Sequence, residues 1–148
     1  PELNLEKEQT LQQALLENIR CGNVMSAHDL SHGGLALALL TACTEKLGIS
    51  VDLKSDLRPD IALFSESQSR ILLSVSPEKV KQIEASMREK GVKCFRIGKV
   101  LSAEISATVS SGVTKNFEIA FNGAPLIQAE LRNLRDLWQN AIERVMQR

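Results

Sequence analysis

Apolar positions recur at helical spacing in four stretches of the 148-residue chain, with short apolar runs between them. Leu11, Leu15 and Ile19 stand four residues apart, which predicts a helix over residues 5–20 with one buried stripe, ending near Gly22. From Gly34 to Lys46 the chain is rich in Leu and Ala and apolar nearly all round, so a helix there should be covered on more than one side, with Gly48 placed to stop it. Pro77 opens a third helix carrying Val80, Ile83 and Met87 on one face, closed by Gly91. A last helix, from about Leu126 to Met146, lines up Leu131, Leu134, Trp138, Ile142 and Val145.

The shorter runs read as strands. Asn23 to Ala27 leads into a loop holding His28 and Asp29; Ile49 to Leu53 alternates apolar and polar residues; Ile71 to Val75 is a buried-type run. Val92 to Val100, Ile105 to Val109 and Phe117 to Phe121 are further strand candidates, and Asn122-Gly123 is a turn signal. After Pro59 comes a brief apolar stretch, Ile61 to Phe64. Helix and strand patterns alternate without a steady β-α-β rhythm. This favours an α+β sandwich with a mixed or antiparallel sheet. No repeat or linker interrupts residues 1–148, so they are expected to form one domain.

Composition narrows the partners. An apolar fraction of 43% and a charged fraction of 24% suit a globular protein. Eighteen basic residues balance eighteen acidic ones, which argues against a nucleic-acid or anionic-membrane partner. The longest strongly apolar run, Leu35 to Cys43, is too short to span a bilayer, and the polar, acidic start does not resemble a signal peptide. Cys21, Cys43 and Cys94 are scattered, which suits reduced core thiols in a cytoplasmic protein. The chain begins at Pro1, as an excised piece of a longer polypeptide would.

Two polar segments are candidates for chemistry. The first, Ser26-Ala-His-Asp-Leu-Ser-His-Gly-Gly-Leu35, ends a strand and opens a helix. Asp29 and Ser31 are good N-cap types, and Gly33 and Gly34 allow close backbone approach or an anion at the helix start. Spacing alone puts capping ahead of ligand binding. His28 and Asp29 are adjacent and on an extended segment would point apart, so a catalytic pair is not expected; a bond from His28 to backbone is the simpler reading. His28 and His32 do not make a metal pair across that loop. The second segment, Leu63-Phe-Ser-Glu-Ser-Gln-Ser-Arg70, packs Glu66, Ser67, Gln68 and Arg70 between apolar runs. Such groups hold hydroxyls, amides or phosphate, or else form a solvated loop. Trp138 is expected in a core or an interface, with Arg132, Arg135, Asp136 and Arg144 on the wet side of its helix.

Residues 26–36 and 63–70, in this order and separation, resemble the phosphoribosylformylglycinamidine synthase family, within the aminoimidazole ribonucleotide synthetase superfamily. Leu134, Trp138, Ala141 and Ile142 resemble the tail at which that synthetase subunit ends. The resemblance implies the carboxy-terminal domain of the second half of a multidomain synthetase, with a three-layer α-β-α fold. It implies an ATP- and Mg2+-dependent ligase that turns formylglycinamide ribonucleotide and glutamine-derived ammonia into the amidine. The implied partners are the amino-terminal synthetase domains of the same polypeptide, a glutamine amidotransferase subunit and a small bridging subunit. The family's catalytic groups lie in the amino-terminal domains, so no catalytic or metal residue is assigned here and no cofactor is expected to bind this domain tightly alone. Asp29, Ser31, Gly33, Gly34, Glu66, Ser67, Gln68 and Arg70 remain candidates for ligand or domain-interface contacts. His32 stands where the family usually carries an acidic residue. An isolated piece is expected to expose an apolar patch and to dimerise; the readings that compete are a free-standing nucleotide- or phosphosugar-binding regulatory module of the same fold and a domain of another superfamily member.

Overall fold

A computed structural model of the chain describes residues 3–44, 46–102 and 116–147. They comprise α1 (Leu5–Arg20), β1 (Ser26–Asp29), α2 (Gly34–Ala42), β2 (Leu47–Leu53), α3 (Pro59–Phe64) and β3 (Ile71–Ser74). A 3-10 turn at Pro77–Lys79 then leads into α4 (Val80–Glu89), followed by β4 (Gly98–Ser102), β5 (Phe117–Phe121), β6 (Ala124–Ala129), α5 (Leu131–Gln139) and α6 (Ala141–Met146). The chain is α+β with one antiparallel and one mixed sheet, as expected. It divides into two compact units, Pro1–Ala38 with Leu63–Arg96, and Leu39–Ala62 with Ile97–Arg148.

In the first unit, β1 and β3 form an antiparallel pair, Ser26 opposite Ser74 and Asp29 opposite Ile71. Ala14 of α1 meets Ile83 and Met87 of α4 in a buried cluster, flanked by Val24, Leu73, Val75 and Val92. The Asn4 side chain caps α1 by accepting from the Lys7 amide. Beside the apolar cluster runs a buried polar chain. Asn18 Nδ2 donates to Ala14 O and to Ser86 Oγ, while Asn23 Nδ2 donates to Asn18 Oδ1. These bonds offset part of the cost of burying two carboxamides, Asn23 Oδ1 being buried without a hydrogen bond, and the Asn18–Ser86 bond ties α1 to α4.

In the second unit the strand order is β4-β2-β5-β6. β2 pairs antiparallel with β4 and parallel with β5, and β5 pairs antiparallel with β6 across a bulge at Ile119/Ala120. The alternation in β2 buries Ile49, Val51 and Leu53, and β5 adds Phe117 and Ile119. Asn122 and Gly123, both at positive φ, make the hairpin turn, and Asp52 accepts the Gly123 amide.

Several boundaries depart from the periodicity. His28 and Asp29 end strand β1 instead of lying in a loop, because the ladder to β3 continues through them. α2 stops at Ala42, and Gly48 lies inside β2. The stretch Ile61 to Phe64 completes a short helix, and of Val92 to Val100 only the end joins a strand, β4. Residues 126–129, expected in the last helix, belong to β6, because the hairpin turn returns them alongside β5, and the rest of that helix breaks at Asn140 into α5 and α6. Cys43 is buried, whereas Cys21 and Cys94 are exposed and all three are free, so only one is a core thiol. The candidate strand Ile105 to Val109 falls outside the described residues.

Candidate functional site

The antiparallel β1–β3 pair decides where the two polar segments go. One segment follows β1 and the other precedes β3, so both emerge at the same end of the ladder. The ladder extends one step further, with the Leu30 amide donating to Arg70 O at 3.1 Å. Residues 26–34 and 63–70 therefore form one structure.

At its centre the Gly33 amide donates to Glu66 Oε1 at 2.8 Å. The first turn of α2 is thus met by a carboxylate 33 residues away in sequence, a favourable charge for a helix N-terminus. The capping expected of the Asp29 and Ser31 side chains falls at this amide to Glu66. Ser31 contributes its backbone carbonyl instead, which accepts from the Gly34 amide at 3.0 Å. Asp29 and Ser31 themselves are exposed.

Gly34 is a point of contact between the segments. Its φ is +60°, and a Cβ there would stand 2.7 Å from Leu63 O and 2.8 Å from Ser65 O. Only a residue without a side chain admits the second segment's backbone so closely. For Gly34 the geometry shows the close backbone approach.

Arg70 points back into its own segment, donating through Nη1 to Ser65 Oγ at 2.8 Å and Ser65 O at 3.1 Å. Burial pulls its guanidinium below the usual range. Ser69, at φ +59°, donates to Glu8 Oε2 of α1 at 2.5 Å, and this bond is the main cause holding the Glu8 carboxyl below its ordinary value. Spacing gave no sign of the Glu8–Ser69 contact. Glu66 and Gln68 are exposed and Ser67 is half-buried. His28 Nδ1 donates to Asp29 O at 2.6 Å, the backbone bond expected of it. The Asp29 carboxylate sits 3.9 Å from the same nitrogen. His32 is exposed beside the glycines.

Residues 1–110 match the model of the family "AIR synthase related protein, C-terminal domain". The chain belongs to that family. Among relatives of this AIR synthase related chain, the phosphoribosylformylglycinamidine synthase subunit PurL of Moorella thermoacetica is 39% identical over all of the chain. That of Caldanaerobacter subterraneus is 38% identical over the same span. The chain covers 19% of each of these relatives, about a fifth of their length. The structure of PurLQS from Thermotoga maritima has the same fold, with a TM-score of 0.72 at 23% identity, over 88% of this chain and 22% of that one. T. maritima PurL complexed with FGAR aligns at a TM-score of 0.69 and 25% identity, over 86% of this chain and 20% of that one.

Proposed function

We propose that this chain is the carboxy-terminal domain of the second half of a phosphoribosylformylglycinamidine synthase and that it supports the reaction without performing it. The whole enzyme would phosphorylate the formamide oxygen of formylglycinamide ribonucleotide with ATP, and ammonia would then displace the phosphate to leave the amidine. It would work in the cytoplasm with an amidotransferase subunit and a small bridging subunit.

The observation that carries this reading is how the two family motifs spend their polar groups. The Glu66 carboxylate serves the Gly33 amide, and the Arg70 guanidinium serves Ser65. These groups hold the chain together at one end of the β1–β3 ladder. Asp29, Ser31, Ser67 and Gln68 form the remaining edge of the same structure, suited to contacts with a ligand or a neighbouring domain. A phosphate reaching the start of α2 must displace Glu66, so the residues present do not make a ready ATP site on their own. Among the described residues no group of three or more His, Cys, Asp or Glu could hold a metal ion. No step through ATP or Mg2+ is therefore assigned to this chain.

The test uses the polypeptide that carries this chain in frame with synthetase domains, assayed for ADP and amidine from formylglycinamide ribonucleotide and ammonium. Turnover lost on deleting residues 1–148 supports the reading. Micromolar ATP binding by residues 1–148 alone, measured by calorimetry, would replace it with a free-standing nucleotide-binding module.

A further inference from the structure

Asn122 is the one asparagine in the sequence that is followed by glycine. Phe121 pairs with Ala124, so Asn122 and Gly123 alone make the β5–β6 turn, at φ +51° and +84°. A two-residue turn of this kind needs a left-handed backbone at both positions, which Asn-Gly supplies. The same dipeptide is chemically labile, because no Cβ hinders the glycine nitrogen from attacking the neighbouring carboxamide. Both residues are exposed, so water reaches them. Yet both reacting groups are engaged by residues at and just beyond the end of β2. The Gly123 amide, the nucleophile, donates to Asp52 Oδ1 at 3.1 Å. The Asn122 carboxamide, the electrophile, pairs with the backbone of Ser55. Its Oδ1 accepts from the Ser55 amide at 3.1 Å, and its Nδ2 donates to Ser55 O at 2.9 Å. The backbone amide of Asn122 donates to Leu53 O at 2.9 Å, which carries the β2–β5 ladder up to this clasp. Lys54 Nζ stands 2.6 Å from Asp52 Oδ2, and Lys54, then the Gly123 amide, hold the Asp52 carboxyl below its ordinary value. Asp52 is therefore a charged acceptor at neutral pH and a weak base.

We propose that Asn122 is a deamidation site held shut by Asp52 and the Ser55 backbone, so that its modification records openings of this turn. In the reaction the Gly123 nitrogen gives its proton to solvent base and bonds to Asn122 Cγ. The Cγ–Nδ2 bond breaks, and the leaving nitrogen takes up a proton and departs as ammonia. Water then adds to one carbonyl of the resulting succinimide and breaks one of its ring C–N bonds. Aspartate or isoaspartate is left at position 122, with one water consumed and one ammonia released. The first step needs a free Gly123 nitrogen turned towards a free carboxamide, and the closed turn supplies neither. The product has no Nδ2 donor for Ser55 O and adds a negative charge to a turn that already holds Asp52, so the clasp is not remade. This chemistry belongs to the turn and is independent of the synthetase reaction.

The experiment follows the peptide containing position 122 by mass spectrometry, in the folded chain and in urea, with hydrogen exchange of the Gly123 amide read alongside. The folded parent should deamidate about ten-fold more slowly than the denatured chain, the ratio reporting how rarely the turn opens. Asp52→Ala should bring the folded rate several-fold towards the denatured one, while the amide of buried Ile119 in β5 stays protected and shows the sheet intact. Lys54→Ala leaves the Asp52–Gly123 bond in place and should keep the parent rate. A parent rate in Asp52→Ala overturns the proposal, and so does a Lys54→Ala chain that reacts as fast as Asp52→Ala. If Asp52→Ala loses the Ile119 protection, the parent decides. A Gly123 amide exchanging there as fast as in urea overturns the proposal, and a protected one supports it.

Discussion

The two polar motifs and the terminal apolar stripe have opposite relations to the rest of the chain. Residues 26–34 and 63–70 are polar, and most of what they offer is met inside the chain: the Gly33 amide by Glu66, Arg70 by Ser65, Ser69 by Glu8, the Leu30 amide by Arg70 O. The stripe on α5 and α6 is apolar, and its outer half is left open. Backbone and charged groups lose a full hydrogen bond when buried without a partner, so a folded chain closes them locally. Apolar surface carries a cost proportional to its area and no directionality, so it can await another domain. A conspicuous polar motif can therefore be partly architecture, with Glu66 and Arg70 turned to the chain itself.

The sharpest way to break that contrast is at Gly34. Gly34→Ala forces a left-handed backbone on a side chain and drives its Cβ into Leu63 O, and should cost about 4 kcal/mol in a denaturant titration. Gly91→Ala shares the positive φ, at +72°, but has open space around the added carbon. It should cost only about 1 kcal/mol, which isolates the close approach from the backbone strain. Equal losses at the two sites would mean that the second segment does not press on Gly34.

Glu66→Ala should destabilise more gently, by about 0.5 kcal/mol in the same titration, because the lost bond lies in solvent at a helix start. The Glu8–Ser69 bond adds a pH signature. The Glu8 carboxyl is held below its ordinary value, chiefly by the Ser69 hydroxyl and then by Gln12, so its folded form binds a proton less readily than the unfolded chain. Its stabilisation is present above the unfolded value, near 4.5, and is lost as pH falls through the lower folded value. Ser69→Ala should flatten that part of the acid limb; a limb identical to the parent's would show that Glu8 is not held there. The smallest effect belongs to the stripe. Ile142→Ser should change the stability of residues 1–148 by less than about 0.5 kcal/mol, since its side chain is mostly in water. A loss comparable to that at Gly34 would mean that the face is covered within this chain.

Legibility followed the range of the interaction. The α1 stripe, the Pro77 start, the Asn122-Gly123 turn and the alternation of β2 are local and were readable from spacing. The start of the last helix was not. Leu126 and Ile127 fit a helical stripe, but ladder bonds to β5 outweigh that preference. Among the site residues, the types at Gly33, Gly34, Glu66 and Arg70 marked the right segments. That Glu66, and not Asp29 or Ser31, meets the Gly33 amide lay beyond spacing.

The sequence by itself determined the family, the α+β class and the two segments in which the polar side chains concentrate, because periodicity and motif order are properties of neighbours along the chain. Only the tertiary structure decided that those segments are one clasp and that the last stripe outruns its core. The first depends on contacts between residues tens of positions apart, which the β1–β3 ladder brings about, and the second on where the core beneath α5 stops; no local spacing encodes either.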